Sequence, residues 1–116
     1  MKTLQTGTLL RIFIGSSDKY QGLPLYEAIV VKARELKLAG ATVLRGVMGY
    51  GKNSRIHTAG LLTLSTDLPV VIELIDSEEK IHAFLPAVDE MVTEGLVTIE
   101  QVTVIKYGPS SPSPGA

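Results

Sequence analysis

Residues 45–58 read RGVMGYGKNSRIHT, and the fold turns on how they are read. Gly46, Gly51 and Lys52 match the G-x-x-x-x-G-K of a phosphate-binding loop, but Asn53 stands where that motif needs Ser or Thr. Such a loop also needs a helix directly after the Lys, so that backbone N–H groups and the helix dipole converge on the phosphates. Residues 53–60, NSRIHTAG, carry no helical stripe and end in glycine. The phosphate-loop reading is therefore rejected on context. Two local readings remain. The glycines at 46, 49 and 51 can turn N–H groups towards an anion, with Arg45, Lys52 and Arg55 supplying charge. A surface hairpin loop with solvated bases accounts for the same residues.

Upstream, residues 8–14 (TLLRIFI) have the apolar, β-branched character of a strand that Gly15 closes. Pro24 suits the first position of a helix, where its missing N–H costs nothing. Leu25, Ile29, Val30, Ala33 and Leu36 recur at helical spacing, and Gly40 stands where a helix end favours a left-handed residue. Residues 41–47 then read as a second strand. Downstream the plan repeats. Residues 70–75 (VVIELI) form a strand, and Asp76 and Ser77 are both competent helix caps. Ile81, Phe84, Leu85, Val88, Met91 and Val92 form the apolar stripe of a second helix, with Pro86 predicting a kink or a late start. Gly95 is expected to end that helix, and residues 96–105 give the last strand. Residues 108–116 (GPSSPSPGA) have nothing to bury and are expected to form a disordered tail.

The order βαββαβ predicts a single α+β domain over residues 1–107. It is a ferredoxin-like sandwich, an antiparallel sheet with two helices on one face. The strands are apolar at nearly every position, whereas a sheet with one wet face alternates. The second face is therefore expected to be covered by other copies of the chain.

Composition narrows the function. The 116 residues are 45 % hydrophobic, with 11 Lys and Arg against 12 Asp and Glu, a net charge of −1 that argues against nucleic acid as a partner. No acid lies between Glu35 and Asp67, where Lys37, Arg45, Lys52 and Arg55 all fall. Eight acids against Lys80 alone lie from Glu73 to Glu100, so a cationic segment sits on an anionic body and suits a small anion. There is no cysteine, which fits a reducing cytoplasm and removes thiolate chemistry. With two histidines, His57 and His82, no metal site is expected. No nucleophile–base pair can be assembled, so the chain is read as a non-enzyme.

The stretches GTLLRIFIGSSDKYQGLPLYEAIVVKARELKLAGATVLRGVMGYGKNSRIHTA and DLPVVIELIDSEEKIHAFLPAVDEM resemble the uncharacterised, PII-like family of domain of unknown function one-ninety. The resemblance implies a cytoplasmic PII-like homotrimer. Classical PII signalling proteins are more distantly similar, through Gly40-Ala-Thr42-Val43, Gly49-Tyr50-Gly51-Lys52 and Ile72-Glu73-Leu74. In those proteins these segments wall an adenine-nucleotide site between subunits, at the root of a mobile loop. By that carry-over Gly40, Thr42, Gly49, Gly51, Lys52 and Glu73 are candidate nucleotide contacts. Arg45, Arg55 and His57 join them on charge and position. The glycine- and lysine-rich loop that holds the triphosphate in PII proteins is reduced here to Glu94-Gly95-Leu96-Val97, and the basic C-terminal extension to Lys106. AMP or ADP is therefore expected over ATP, with no obligatory cofactor. The resemblance further implies a loop over about residues 48–60 that regulates a partner, a membrane transport protein being the expected one. The alternatives are a trimeric metal-binding protein of the divalent-cation-tolerance type and a weak nucleotide hydrolase.

Overall fold

The computed structural model describes residues 4–51, 57–58 and 67–107. In chain order its elements are β1 (Gln5–Gly15), β2 (Lys19–Tyr20), β3 (Leu23–Pro24), α1 (Leu25–Glu35) and β4 (Thr42–Arg45). They continue with β5 (Met48–Gly49), β6 (His57–Thr58), β7 (Pro69–Asp76), α2 (Glu78–Met91) and β8 (Leu96–Val104). The main sheet has the order β4-β7-β1-β8, and every neighbouring pair is antiparallel. Two βαβ units, β1–α1–β4 and β7–α2–β8, interleave so that each unit's parallel strands are separated by a strand of the other. This is the expected ferredoxin-like sandwich. Two short ribbons, β2–β3 and β5–β6, are additions that the apolar pattern does not signal, because two-residue strands have no periodicity to read.

Register decides which residues make the core. Leu10 faces Leu74, Ile12 faces Ile72 and Ile14 faces Val70 across the β1–β7 pair. These six side chains are buried under the helices. From above they meet Leu25, Ile29 and Ala33 of α1 and Ile81, Phe84, Val88 and Met91 of α2. Phe84 is 1 % exposed, and truncating a ring so placed costs about 3–5 kcal/mol. The odd-numbered β1 residues point the other way. Leu9 pairs with Ile75, Arg11 with Glu73 and Phe13 with Val71, on a face that no helix among the described residues covers. Leu44, Ile75 and Leu96 on that face are 48 %, 45 % and 56 % exposed.

Several boundaries differ from the sequence reading. α1 stops at Glu35, and Gly40 is not its terminator. Lys37 takes the left-handed position instead, at φ 64°. Its amide donates to the Arg34 carbonyl and that of Leu38 to the Ala33 carbonyl, both at 3.0 Å, the paired closure of a Schellman end. Pro24 precedes the helix rather than opening it. α2 begins at Glu78 behind Ser77, whose hydroxyl accepts the Lys80 amide at 3.2 Å, and runs unbroken through Pro86, which sits on its exposed side. α2 closes at Met91, before Gly95. Gly95 serves the start of β8, where a Cβ would stand 2.6 Å from the Phe13 carbonyl oxygen.

Candidate functional site

β4 is only four residues long and forms one edge of the sheet, and the candidate residues distribute along it in two groups. At its start, Thr42 pairs across the strands with Glu73 of β7, so both lie on the helix-free face. Gly40 precedes them in the link from α1, with open space where a Cβ would be. At its end, Arg45 pairs with Val70 and is exposed on the opposite face from Thr42. Beyond it Gly49 pairs through the backbone with His57 in the β5–β6 ribbon. The rise per residue of a strand separates the two groups by roughly 10 Å. Within the chain they border the same edge without sharing a face. Gly51 follows β5, between the two strands of the ribbon; Lys52 and Arg55 lie outside the described residues, as does the side chain of His57.

The glycines in this region have a steric reason. A Cβ on Gly46 would stand 2.7 Å from Cγ of Pro69, and one on Gly49 would stand 3.0 Å from the same atom. Neither glycine has a left-handed φ. Packing on a proline ring therefore calls for glycine at 46, and a Cβ at 49 would make the ring give by a few tenths of an ångström, independently of any anion.

Glu73 is not free-standing. Its Oε2 accepts from Arg11 Nε at 2.9 Å, while Arg11 Nη1 reaches Glu100 Oε1 at 2.7 Å. Three adjacent strands thus place a carboxylate–guanidinium–carboxylate bridge on the helix-free face. The hydrogen bond that Arg11 donates to Glu73 first, and then the one it donates to Glu100, raise the Arg11 pKa above its ordinary value. Two of the five guanidinium N–H donors are used, so the bridge retains directional capacity towards a further acceptor. No local motif in the sequence connects Arg11 and Glu100 with the site. Their signal was a single charge set in each of two strands otherwise rich in Leu, Ile, Val and Thr.

The loop after β1 lies at the Arg45 end of the sheet and is locked. The Ser17 amide donates to Asp67 Oδ1 at 2.8 Å, Ser16 Oγ accepts the Leu68 amide at 3.0 Å, and Asp18 Oδ2 accepts the Gly15 amide at 3.0 Å. The Asp18 carboxylate thereby closes its own turn.

The sheet order, the two helices on one face and the ribbon emerging from β4 define a PII-like fold. A protein of Thermus thermophilus described as PII-like superposes with a TM-score of 0.65 at 21 % identity, over 90 % of this chain and 94 % of that one. CPII of Thiomonas intermedia K12, in a structure bound to ADP and bicarbonate, gives 0.61 at 18 % identity over 90 % and 93 %. The divalent ion tolerance protein CutA1 of Ehrlichia chaffeensis gives 0.55 at 13 % identity over 88 % and 84 %. These likenesses establish the fold. By sequence, a UPF0166 protein of Aquifex aeolicus is 44 % identical over 97 residues, 84 % of this chain and 91 % of its own. The chain belongs to the DUF190 family (Uncharacterized ACR, COG1993), whose profile matches residues 7–104.

Proposed function

We propose that the chain is a PII-like regulatory protein, a cytoplasmic homotrimer that binds an adenine nucleotide, AMP or ADP in preference to ATP, in the cleft between subunits. The observation that carries this reading is the pairing of Thr42 with Glu73 at the free edge of the sheet, continuous through β4 with the glycine turn at Gly49. Gly40, Thr42 and Glu73 then form the base-proximal half of the site. Arg45, Gly49, Gly51, Lys52, Arg55 and His57 form the phosphate-proximal half, and a neighbouring subunit closes the cleft. The opposite facing of Thr42 and Arg45 supports a site completed by a second copy. CPII, which shares the fold, is described in complex with ADP.

The trimer reading draws on the helix-free face, where Leu44, Ile75 and Leu96 remain exposed around the Arg11 bridge. At about 25 cal/mol per Å² of apolar area, covering such a face gives a strong drive to associate. No helix among the described residues is long and apolar enough to cross a membrane, so contact with a membrane transport protein would be peripheral. Nucleotide binding acts by population shift. Moving the 48–60 loop from 1:99 to 99:1 needs about 10⁴-fold differential affinity between its two states.

Calorimetric titration with AMP, ADP, ATP and divalent metals, on protein whose mass has been set by light scattering, tests the proposal. The expected result is a trimer that takes up AMP or ADP, with affinity reduced by Lys52→Ala combined with Arg55→Ala while the mass is unchanged. Metal uptake without any nucleotide uptake would overturn it. Unchanged affinity in the double variant would put the phosphates elsewhere.

A further inference from the structure

The opposite side of the molecule carries a second surface, independent of the nucleotide reading. The β2–β3 ribbon stands over the helices as a tight hairpin whose two turn residues, Gln21 and Gly22, both have left-handed φ, 49° and 86°. That geometry fixes a two-residue hairpin. The hairpin is tied at its base by the Leu25 amide donating to the Asp18 carbonyl at 2.7 Å, and on its flank by Tyr20 Oη donating to Glu90 Oε2 at 3.0 Å. Between the hairpin, α1 and α2 lies a groove of about 260 Å³. Its apolar lining includes Leu23, Val31 and Met91, with Leu23 and Val31 44 % and 46 % exposed.

Size and charge decide what fits. The volume falls below the roughly 300–1,000 Å³ of small-molecule sites, so the groove suits aliphatic side chains of a partner rather than a cofactor. Its rim is anionic. Glu35 and Glu90 line it against Lys32 alone, and Lys32 Nζ is already 3.7 Å from Glu35 Oε1. α2 ends beside the groove with Asp89 and Glu90 in its last turn and no basic residue there. The negative end of a helix dipole ordinarily draws a cation, and here the chain supplies acids. Between Lys80 and Lys106 the sequence holds no Lys or Arg to compensate. The rim keeps a net negative charge that a cationic partner would complement.

We infer that the α1–α2–hairpin groove docks a basic amphipathic helix of a partner protein, its aliphatic residues seated on Leu23, Val31 and Met91 and its Lys or Arg facing Glu35 and Glu90. This is helix-in-groove recognition with charge setting the orientation. A surface of this sign repels anionic membranes and nucleic acid.

The test uses the full chain and a synthetic amphipathic helix of leucine and lysine, with a leucine–glutamate counterpart as the charge control. Binding is read by anisotropy of the labelled peptide, and its place by the NMR shift of the Met91 methyl. The expected result is that the lysine peptide binds and moves Met91, the glutamate peptide does neither, and Glu35→Lys weakens binding about tenfold, equivalent to 1.4 kcal/mol. Val31→Ser, which leaves every charge in place, should also weaken it. Equal binding of both peptides, binding that leaves Met91 unmoved, or no binding overturns the proposal. A Met91 shift that follows protein concentration without peptide would assign the groove to a second copy and equally overturn it.

Discussion

Gly46 packs against Pro69: a Cβ at position 46 would stand 2.7 Å from the proline Cγ, while the Gly46 amide donates to the Pro69 carbonyl at 2.7 Å. The contact brings the end of β4 onto the start of β7 and aims the chain into the β5–β6 ribbon. Gly46→Ala should therefore cost about 1–3 kcal/mol, the range for forcing a methyl into a packed contact. Because the clash is with the ring, Pro69→Ala should recover most of that loss in the double variant. Urea unfolding of the four-member cycle measures it. Additive losses would mean that the ring is not what excludes the methyl.

The Arg11 bridge makes a second prediction. Its guanidinium separates the carboxylates of Glu73 and Glu100, and the three side chains are 34 %, 32 % and 57 % exposed. Ion pairs as open to solvent as these contribute little each. In protein diluted until the subunits separate, Arg11→Met should lower Tm by no more than a few degrees at neutral pH, since it removes both pairs and leaves two carboxylates facing each other. In a trimer that covers this face the loss should be larger. High salt screens that repulsion, so the gap to the parent should narrow between low and molar ionic strength. A gap independent of salt would point to lost packing of the Arg stem instead.

The fold was legible because its signals are strong and redundant. The apolar runs of β1 and β7, the stripe of α2 and the order of elements all select one sandwich. Element ends were less legible for a physical reason. Gly40 and Gly95 look like helix terminators, yet Lys37 accepts the left-handed position and Gly95 answers a close approach by the Phe13 carbonyl, which belongs to a strand remote in sequence. The candidate site was legible only as residue types. That Thr42 and Glu73 are cross-strand neighbours, and that Arg45 faces away from both, depends on register between β4 and β7. The Arg11 bridge depends on three strands at once, and local spacing carries no trace of it.

Lys37 offers a stabilising change. It holds φ 64° without being glycine, and its carbonyl accepts Lys80 Nζ at 2.7 Å, a bond that needs no side chain at 37. The left-handed conformation costs an L-residue about 1–2 kcal/mol, offset in part by the extra freedom glycine has in the unfolded chain, about 0.5–1 kcal/mol. Lys37→Gly should then raise stability by roughly 0.5–1 kcal/mol, or a few degrees in Tm for a domain of this size. Differential scanning calorimetry reads the sign directly. A lower Tm would show that the lysine side chain contributes more than its backbone costs.

The hairpin tie predicts a pH signature. Tyr20 Oη donates to Glu90 Oε2 at 3.0 Å, so ionising the phenol removes the donor and sets a phenolate against a carboxylate. That hydrogen bond, with desolvation adding to it, raises the Tyr20 pKa above the ordinary value of about 10. The folded chain therefore keeps the proton to higher pH than the unfolded chain does. The stabilisation is complete below pH about 10 and is lost as pH rises through the folded-state value. Ultraviolet titration should show a late-ionising phenol that is absent in Tyr20→Phe and shifted to lower pH in Glu90→Ala. Stability of the parent should fall more steeply above pH 10 than that of Tyr20→Phe, since only the parent has this proton to lose. If the late phenol survives Tyr20→Phe, or the two stability curves run parallel, the tie between hairpin and α2 is not formed in solution.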